Sequence, residues 1–278
     1  MVTQKTTDGQ FDSYPVGNYV LGDPVDGPGI RRFPYSFDMT VNPLTYGDFN
    51  GGFPNNQVHN AGEIWASALW DLNWLLIDKF GFDPDLYNGT GGNNLTMQLV
   101  MDGLKLQPAN PSFIDGRDGI LLADQILTGG ANHDEIWTAF ARRGMGVSAS
   151  DGGNANSPVV IEAFDLPAVA PVAVNDSAAT LEDTPVSINV LLNDVDPDGV
   201  LLPLTINIIA GPVSGTAQLN PLNGQILYTP APNFFGVDVF SYTVADNSGL
   251  VSNPATVTIA VSPVNDAPVA VNDAAGTA

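Results

Sequence analysis

The amino-acid sequence predicts a multi-domain protein in which an all-α part precedes an all-β sandwich. Its 278 residues are enough for about two domains at roughly 150 residues each. Apolar residues recur at helical spacing between residues 59 and 144, whereas they alternate with period two beyond residue 168. All 8 lysine and arginine residues lie at or before Arg143, so the charge composition changes where the periodicity changes.

Four helices are predicted in the first part, each from apolar residues at i, i+3 and i+4. They cover residues 59–80, 95–106, 113–127 and 132–143. Asn132 and Glu135 have the spacing of a capping box, and Arg142 and Arg143 are cations at the negative end of the last helix dipole. The four tryptophans lie on helical stripes, which favours core positions over carbohydrate platforms. Residues 1–58 are too rich in Gly, Pro and Asn for much regular structure.

The second part is predicted to be an antiparallel sandwich of about seven short strands. Strands are identified at residues 186–191, 204–209, 216–219, 225–229, 240–244 and 257–261. Asn223 and Gly224 form a dipeptide that is typical of a type I′ hairpin turn.

These patterns predict four successive regions. They are a helical domain at residues 1–147, a linker at 148–167, a β-sandwich at 168–266 and the start of a second repeat at 267–278. The repeat is indicated by seven residues at 170–176 that recur unchanged at 267–273. We therefore expect the chain to be part of a longer protein.

Composition excludes several functions. A net charge of -22 and a pI near 4.1 argue against nucleic acid as a partner, because a phosphate backbone needs a cationic surface. No segment approaches the ~20 apolar residues of a transmembrane helix. With no cysteine, disulfides, cysteine-bound zinc and thiol catalysis are excluded. The two histidines, His59 and His133, do not form an HExxH motif.

Several motifs of the first part resemble fungalysin-type zinc metallopeptidases over residues 14–147. They lie at residues 29–36, 42–46, 58–66, 92–95, 102–108, 123–124 and 136–144. The resemblance implies the C-terminal helical lobe of a thermolysin-like fold, in a secreted enzyme that hydrolyses peptide bonds of extracellular proteins. It also implies that the Zn²⁺ ligands and the general base belong to an N-terminal part upstream of this chain. We therefore expect this chain alone to be inactive.

The same resemblance implies roles for particular residues. His59 matches a histidine that hydrogen-bonds the oxyanion in the transition state, and Arg31, with Arg32 beside it, matches an arginine that binds a substrate carbonyl. The position of the aspartate that orients this histidine in the family is occupied by Pro54 in this chain. Asp48 is the remaining candidate for that orienting role. The residues alone leave alternatives open, since both arginines could form salt bridges in an acidic protein and His133 could be a capping or surface residue.

Motifs of the second part resemble bacterial Ig-like, cadherin-like repeats of secreted and cell-surface proteins. They lie at residues 170–176, 181–185, 192–199, 228–230, 233–236 and 240–244. Calcium is a candidate cofactor, because hard cations bind several carboxylate oxygens. The candidate ligands are Glu182, Asp183, Asp194, Asp196, Asp198 and Asp266. The alternative is that the alternating aspartates form Asx turns.

Two functional hypotheses remain. The first is a secreted zinc metalloendopeptidase with an adhesive tail, whose partners are a protein substrate and the missing N-terminal part of the same polypeptide. The second is a non-catalytic cell-surface binding protein in which a degenerate peptidase lobe accompanies adhesive repeats.

Overall fold

A computed structural model describes residues 4–22, 29–51, 58–152 and 159–268. The chain divides into two compact units, Met1–Pro167 and Ala168–Ala278. The first unit is helical and the second is a two-sheet β-sandwich, which confirms the predicted fold class. Within the described ranges, no helix has the length and apolar character needed to cross a membrane.

The four predicted helices of the first unit are all present. A short helix α1 and a 3₁₀ helix (Tyr46–Gly51) precede them in the part that was expected to be irregular. The helices are α1 (Asn18–Leu21), α2 (Val58–Phe80), α3 (Gly92–Leu106), α4 (Phe113–Thr128) and α5 (His133–Arg142). Helices α3 and α4 approach closely at Gly103, where an added Cβ would lie 2.8 Å from the Ile120 side chain. Glycine is needed there because the two helices leave no room for a side chain.

Helix α2 is buried on two sides. One stripe packs against α3, α4 and α5 through fully buried aliphatic residues at i, i+4 spacing: Ile64, Ala68, Leu72 and Leu76. The other side contributes Trp70, Trp74 and Ile77 to a second cluster with the aromatic rings of Tyr14, Tyr35 and Phe37. This helix is therefore at the centre of the unit. Packing of its later turns in both clusters fixes the helix, and with it the N-terminal turn.

The predicted capping box of α5 is wrong. The Asn132 side chain makes no cap, because its Nδ2 donates instead to the buried Asp124 carboxylate at 2.7 Å. Glu135 pairs with Lys79 at 2.8 Å. A complete capping box exists one helix earlier, where Ser112 and Asp115 exchange hydrogen bonds at the start of α4.

The stretch 159–165 runs along the first unit. Ile161 bridges Ser150, Ala163 bridges Met145, and Val160 is buried in the helical core. Glu162 accepts a hydrogen bond from Thr45 Oγ1 at 2.7 Å. These residues lie within positions 148–167, the predicted linker, of which residues 153–158 fall outside the described part.

The described residues of the second unit form seven strands in two sheets. They are β1 (Asp176–Leu181), β2 (Val186–Ile188), β3 (Asn207–Ala210), β4 (Gly215–Leu219), β5 (Ile226–Pro230), β6 (Gly236–Thr243) and β7 (Ala255–Ser262). One sheet has the order β1-β7-β6-β3 and the other β2-β5-β4. Alternate residues of β5, β6 and β7 point into the core between the sheets, among them Tyr228, Phe240 and Ile259.

Two details of the predicted sandwich are wrong. Strand β1 pairs with β7 in parallel, although an entirely antiparallel arrangement was expected. As an edge strand, β1 has no fully buried residue and therefore no strong apolar alternation in its sequence. The hairpin between β4 and β5 exists, but its connection is six residues long. A type I′ turn needs a positive φ at both central residues, whereas here Gly224 has a positive φ and Asn223 does not, so the turn is not type I′. Of the predicted second repeat, residues 269–278 lie outside the described part.

Candidate functional site

Arg32 joins the loop after residue 29 to the first turns of α2. Its backbone N–H and its Nε donate to the two carboxylate oxygens of Glu63, at 3.1 and 2.7 Å. Its Nη2 donates to Asn60 O at 2.8 Å. The Glu63 side chain is only 3% exposed. Because the carboxylate is buried and doubly bonded, this ion pair fixes the loop against the helix more firmly than a surface pair would.

Arg31 is held less completely than its neighbour. Its Nη1 lies 3.5 Å from His59 O, the limit of a hydrogen bond. Its Nε is buried and has no hydrogen-bond partner among the described residues. The predicted substrate-binding arginines are therefore not equivalent. Arg32 makes three hydrogen bonds to residues of α2, whereas the contact of Arg31 with α2 in the described part of the chain is a single one at the distance limit.

His59 lies in the first turn of α2 and is exposed. Unpaired N–H groups and the helix dipole make the N-terminus of a helix favourable for negative charge. The structure therefore brings together His59, Arg31 and Arg32 at one electropositive end of a long helix. Residues 52–57, which lead into this turn and include Pro54, lie outside the described part.

Asp48, the proposed orienting partner of His59, lies in the 3₁₀ helix and is half-buried. Its Oδ2 accepts a hydrogen bond from Thr45 N at 2.9 Å. Thr45 precedes the short helix and Asp48 is its third residue, so this bond is the N3-to-N-cap half of a capping box. The orienting role assigned to Asp48 stays a prediction.

A buried ion pair supports the loop that carries the two arginines. Arg143 and Asp71 are both fully buried, and Arg143 donates to the two carboxylate oxygens at 2.7 and 3.0 Å. Its remaining donors bond the carbonyls of Ser36, Asn42 and Leu44. Burial raises the pKa of Asp71 to about 6, although hydrogen bonds and charge from Arg143 oppose the shift.

A cavity of about 470 Å³ lies about two turns further along α2 from His59. Tyr14, Tyr35, Leu69 and Trp70 line it, together with the polar residues Gln4, Asp8 and Ser13. Burial raises the pKa of Tyr35, with Arg31 opposing the shift and Glu63 adding to it. The Tyr35 hydroxyl is therefore within electrostatic reach of the arginine pair, and the cavity adjoins the site.

The described residues form no site for a catalytic zinc. The sequence lacks HExxH. In the part of the chain that the structure describes, no three His, Cys, Asp or Glu side chains are grouped so that they could hold a metal ion. His133 accepts a hydrogen bond from Trp137 Nε1 at 3.0 Å and begins α5 as an exposed residue.

The carboxylates predicted to bind calcium do not converge. Glu182 accepts a hydrogen bond from Val264 N, and Asp183 accepts one from Asn233 N at 3.0 Å. Asp266 is exposed. These side chains order separate backbone segments of the second unit.

The alternating aspartates behave similarly. Asp196 Oδ1 accepts from the backbone N–H groups of Asp198 and Gly199, which is the Asx-turn alternative, and Asp198 accepts from Val169 N. Asp196 Oδ2 is buried without a donor among the described residues, yet no metal-holding group forms around it.

Asp194 belongs to a different cluster, around the Tyr242 hydroxyl. This hydroxyl lies 2.9 Å from Asp194 Oδ2, 3.1 Å from Asp176 Oδ2 and 2.9 Å from Val190 O. One phenolic proton cannot satisfy three acceptors. Burial raises the pKa of Asp176 to about 6, the Tyr242 hydrogen bond opposes the shift, and the charge of Asp194 adds to it.

Sequence reasoning overlooked the partners of the site residues. Glu63 is spaced i, i+4 from His59, but its carboxylate binds Arg32, which is distant in sequence. Arg143 was assigned to the helix dipole, whereas it is buried against Asp71. An acidic residue between Trp70 and Leu72 in an apolar helix was the signal that could have indicated a buried ion pair.

Comparison with known proteins separates the two units. Residues 1–149 match the family model described as fungalysin metallopeptidase, and residues 168–260 match the model described as bacterial Ig domain. The chain is 45% identical over 172 residues to the extracellular metalloproteinase mep of Aspergillus terreus, covering 60% of this chain and 26% of that protein. It is 52% identical over 127 residues to the extracellular metalloproteinase mep of Aspergillus fumigatus strain CEA10, covering 44% of this chain and 20% of that protein. The chain thus spans about a quarter or less of these relatives.

Proposed function

Because the chain belongs to the fungalysin metallopeptidase family, we propose that its helical unit forms the substrate-facing wall of a secreted zinc metalloendopeptidase. The observation that carries the proposal is the convergence of Arg31, Arg32 and His59 at the N-terminal turn of α2. The substrate is an extracellular protein or peptide, and the relatives' names as extracellular metalloproteinases support both substrate class and secretion.

Each residue of the wall has a distinct proposed role. His59 donates a hydrogen bond to the oxyanion that develops on the substrate carbonyl, where such a donor contributes about 3–4 kcal/mol to transition-state stabilisation. Arg31, whose guanidinium is held to α2 by one long contact, donates from its Nη groups to a substrate backbone carbonyl and fixes the register of the peptide. Arg32 holds the loop through Glu63. The aromatic cavity beside them accepts an apolar side chain of the substrate.

We further propose that zinc and the general base come from outside this chain, because its described residues form no metal-holding group. The chain alone then does not hydrolyse peptide bonds, and the bacterial Ig-like unit serves attachment to a cell surface or to other macromolecules.

The test is a chimera in which residues 1–149 replace the matching segment of the Aspergillus fumigatus metalloproteinase. We expect chelator-sensitive cleavage of casein by the chimera and none by the purified 278-residue chain. Cleavage by the chain alone would refute the proposal that zinc and the general base come from outside this chain. A folded, zinc-loaded chimera without activity would instead favour the non-catalytic surface-binding hypothesis.

A further inference from the structure

A second cavity, of about 550 Å³, lies at the far end of α2 from the candidate site. The end of α2, the loop that follows it, the start of α3 and the α4–α5 connection surround this cavity. At 1.5 Å per residue, α2 separates the two ends by about 30 Å. This cavity is therefore independent of the proposed peptidase role.

The cavity is uncharged in a strongly acidic protein. Its described lining consists of Phe80, Leu86, Tyr87, Leu95 and small or amide-bearing residues, and none of these side chains carries a charge. The chain has a net charge of -22. Lys79, which donates to Ala131 O at the edge of the lining, is already paired with Glu135. An anionic ligand would therefore find no cation in the lining itself, and a cationic ligand would find no carboxylate there. The chemistry therefore selects a neutral ligand.

Tyr87 stands out because its side chain is 95% exposed on an ordered loop. The carboxylate of Asp85 accepts hydrogen bonds from the backbone N–H groups of Tyr87 and Asn88, which hold the pKa of Asp85 below its usual range. Asp83 accepts similarly from Asp85 N and Thr90 N. These bonds fix the backbone of the loop at Tyr87 and leave its aromatic ring in water, where the ring contributes nothing to the core.

The remaining exposed groups supply uncharged hydrogen-bonding partners. Thr90 and Gln98 line the cavity with an exposed hydroxyl and an exposed amide, and the Phe80 ring is 47% exposed beside them. Gln98 Nε2 donates to Asp102, which leaves the Gln98 carbonyl oxygen as an acceptor, whereas the Thr128 hydroxyl in the lining is bonded to Asp124. A pyranose ring matches this combination, because its C–H face stacks on an aromatic ring while its hydroxyls exchange hydrogen bonds with neutral polar groups. We propose that the cavity beside Tyr87 binds a neutral saccharide.

The test is isothermal titration calorimetry of the full chain with maltotriose, cellotriose and chitotriose. We expect at least one trisaccharide to bind with an affinity that does not change between low and high salt, because no charge takes part. Tyr87→Ala should weaken that binding at least about tenfold, and Gln98→Ala should weaken it as well. Both side chains are exposed, so the melting temperature should stay unchanged.

Phe235→Ala is the matched control, since Phe235 is an aromatic residue of the second unit that is 61% exposed. This variant should bind as the wild type does. The proposal is overturned if none of the three trisaccharides binds, if Tyr87→Ala leaves the affinity unchanged, or if Phe235→Ala weakens binding as much as Tyr87→Ala. It is also overturned if a neutral aromatic peptide binds more tightly than every trisaccharide at the same residues.

Discussion

Replacing Arg143 with methionine removes the cation that supports the substrate-facing loop. The wild-type guanidinium makes two hydrogen bonds to Asp71 and three to the carbonyls of residues 36, 42 and 44. Methionine fills much of the same volume but donates none of them. The variant therefore leaves three carbonyls without this donor and a fully buried carboxylate whose remaining cation is Arg142, with Nε 3.4 Å from Asp71 Oδ2.

Breaking a buried ion pair by removing one partner costs about 3–5 kcal/mol. That is a large fraction of the free energy of unfolding of an ordinary domain, about 5–15 kcal/mol. The cost should depend on pH. Burial already raises the pKa of Asp71 to about 6, and loss of Arg143 raises it further. Above pH 6 the native variant then binds a proton that the native wild type does not, so the deficit should shrink as the pH falls from 8 to 5.

The assay is denaturant unfolding followed by tryptophan fluorescence. All 4 tryptophans lie in the first unit, so the signal reports that unit alone. Lys105→Met is the control, because Lys105 pairs with Asp102 but is 69% exposed, and its loss should cost less than about 1 kcal/mol. A deficit for Arg143→Met no larger than the control's, or one that grows as the pH falls, would refute the reasoning.

Three further predictions concern packing, titration and the loop anchor. Gly103→Ala should destabilise the first unit by about 1–3 kcal/mol, because the new methyl group meets Ile120. Gly62→Ala is the control: its methyl group meets no atom within 4 Å, so this variant should stabilise the helix. The same fluorescence assay compares the two variants. The pKa of Asp176 in the native state, about 6, exceeds the ordinary value of an aspartate in the unfolded chain, so the stability of the second unit should fall as the pH rises from 4 to 6. Asp176→Asn should remove this pH dependence in scanning calorimetry. If the variant keeps it, a group other than Asp176 is responsible. Glu63→Gln should cost the first unit about 1–3 kcal/mol, and an unchanged unfolding midpoint would show that the Arg32 pair is not an anchor.

The helices could be predicted because their signals are local. Residues such as Leu72 and Leu76 recur at i, i+4 and reveal a buried stripe without any knowledge of its partner. The same reasoning overlooked strand β1, because an edge strand buries little and carries weak alternation. Its parallel pairing with β7 depends on the path of the intervening chain, which periodicity does not encode.

The candidate site was predictable only in part. Family resemblance indicated His59, Arg31 and Arg32, and the structure places all three at one helix end. The family resemblance did not indicate which of the two arginines is hydrogen-bonded within the chain. That distinction depends on Glu63, which is 31 residues from Arg32 in the sequence. In the same way, the ion pair that supports the loop joins Asp71 to Arg143, which are 72 residues apart. Such partners are chosen by tertiary packing.

The most direct test of the substrate-facing wall is the effect of His59→Ala on the kinetics of the chimeric peptidase. If His59 stabilises the oxyanion, kcat should fall by about 10²–10³-fold while KM changes little, since the hydrogen bond forms mainly in the transition state. His133→Ala, which alters an exposed histidine on α5, should leave both constants unchanged. An unchanged kcat for His59→Ala, or a change confined to KM, would contradict the account.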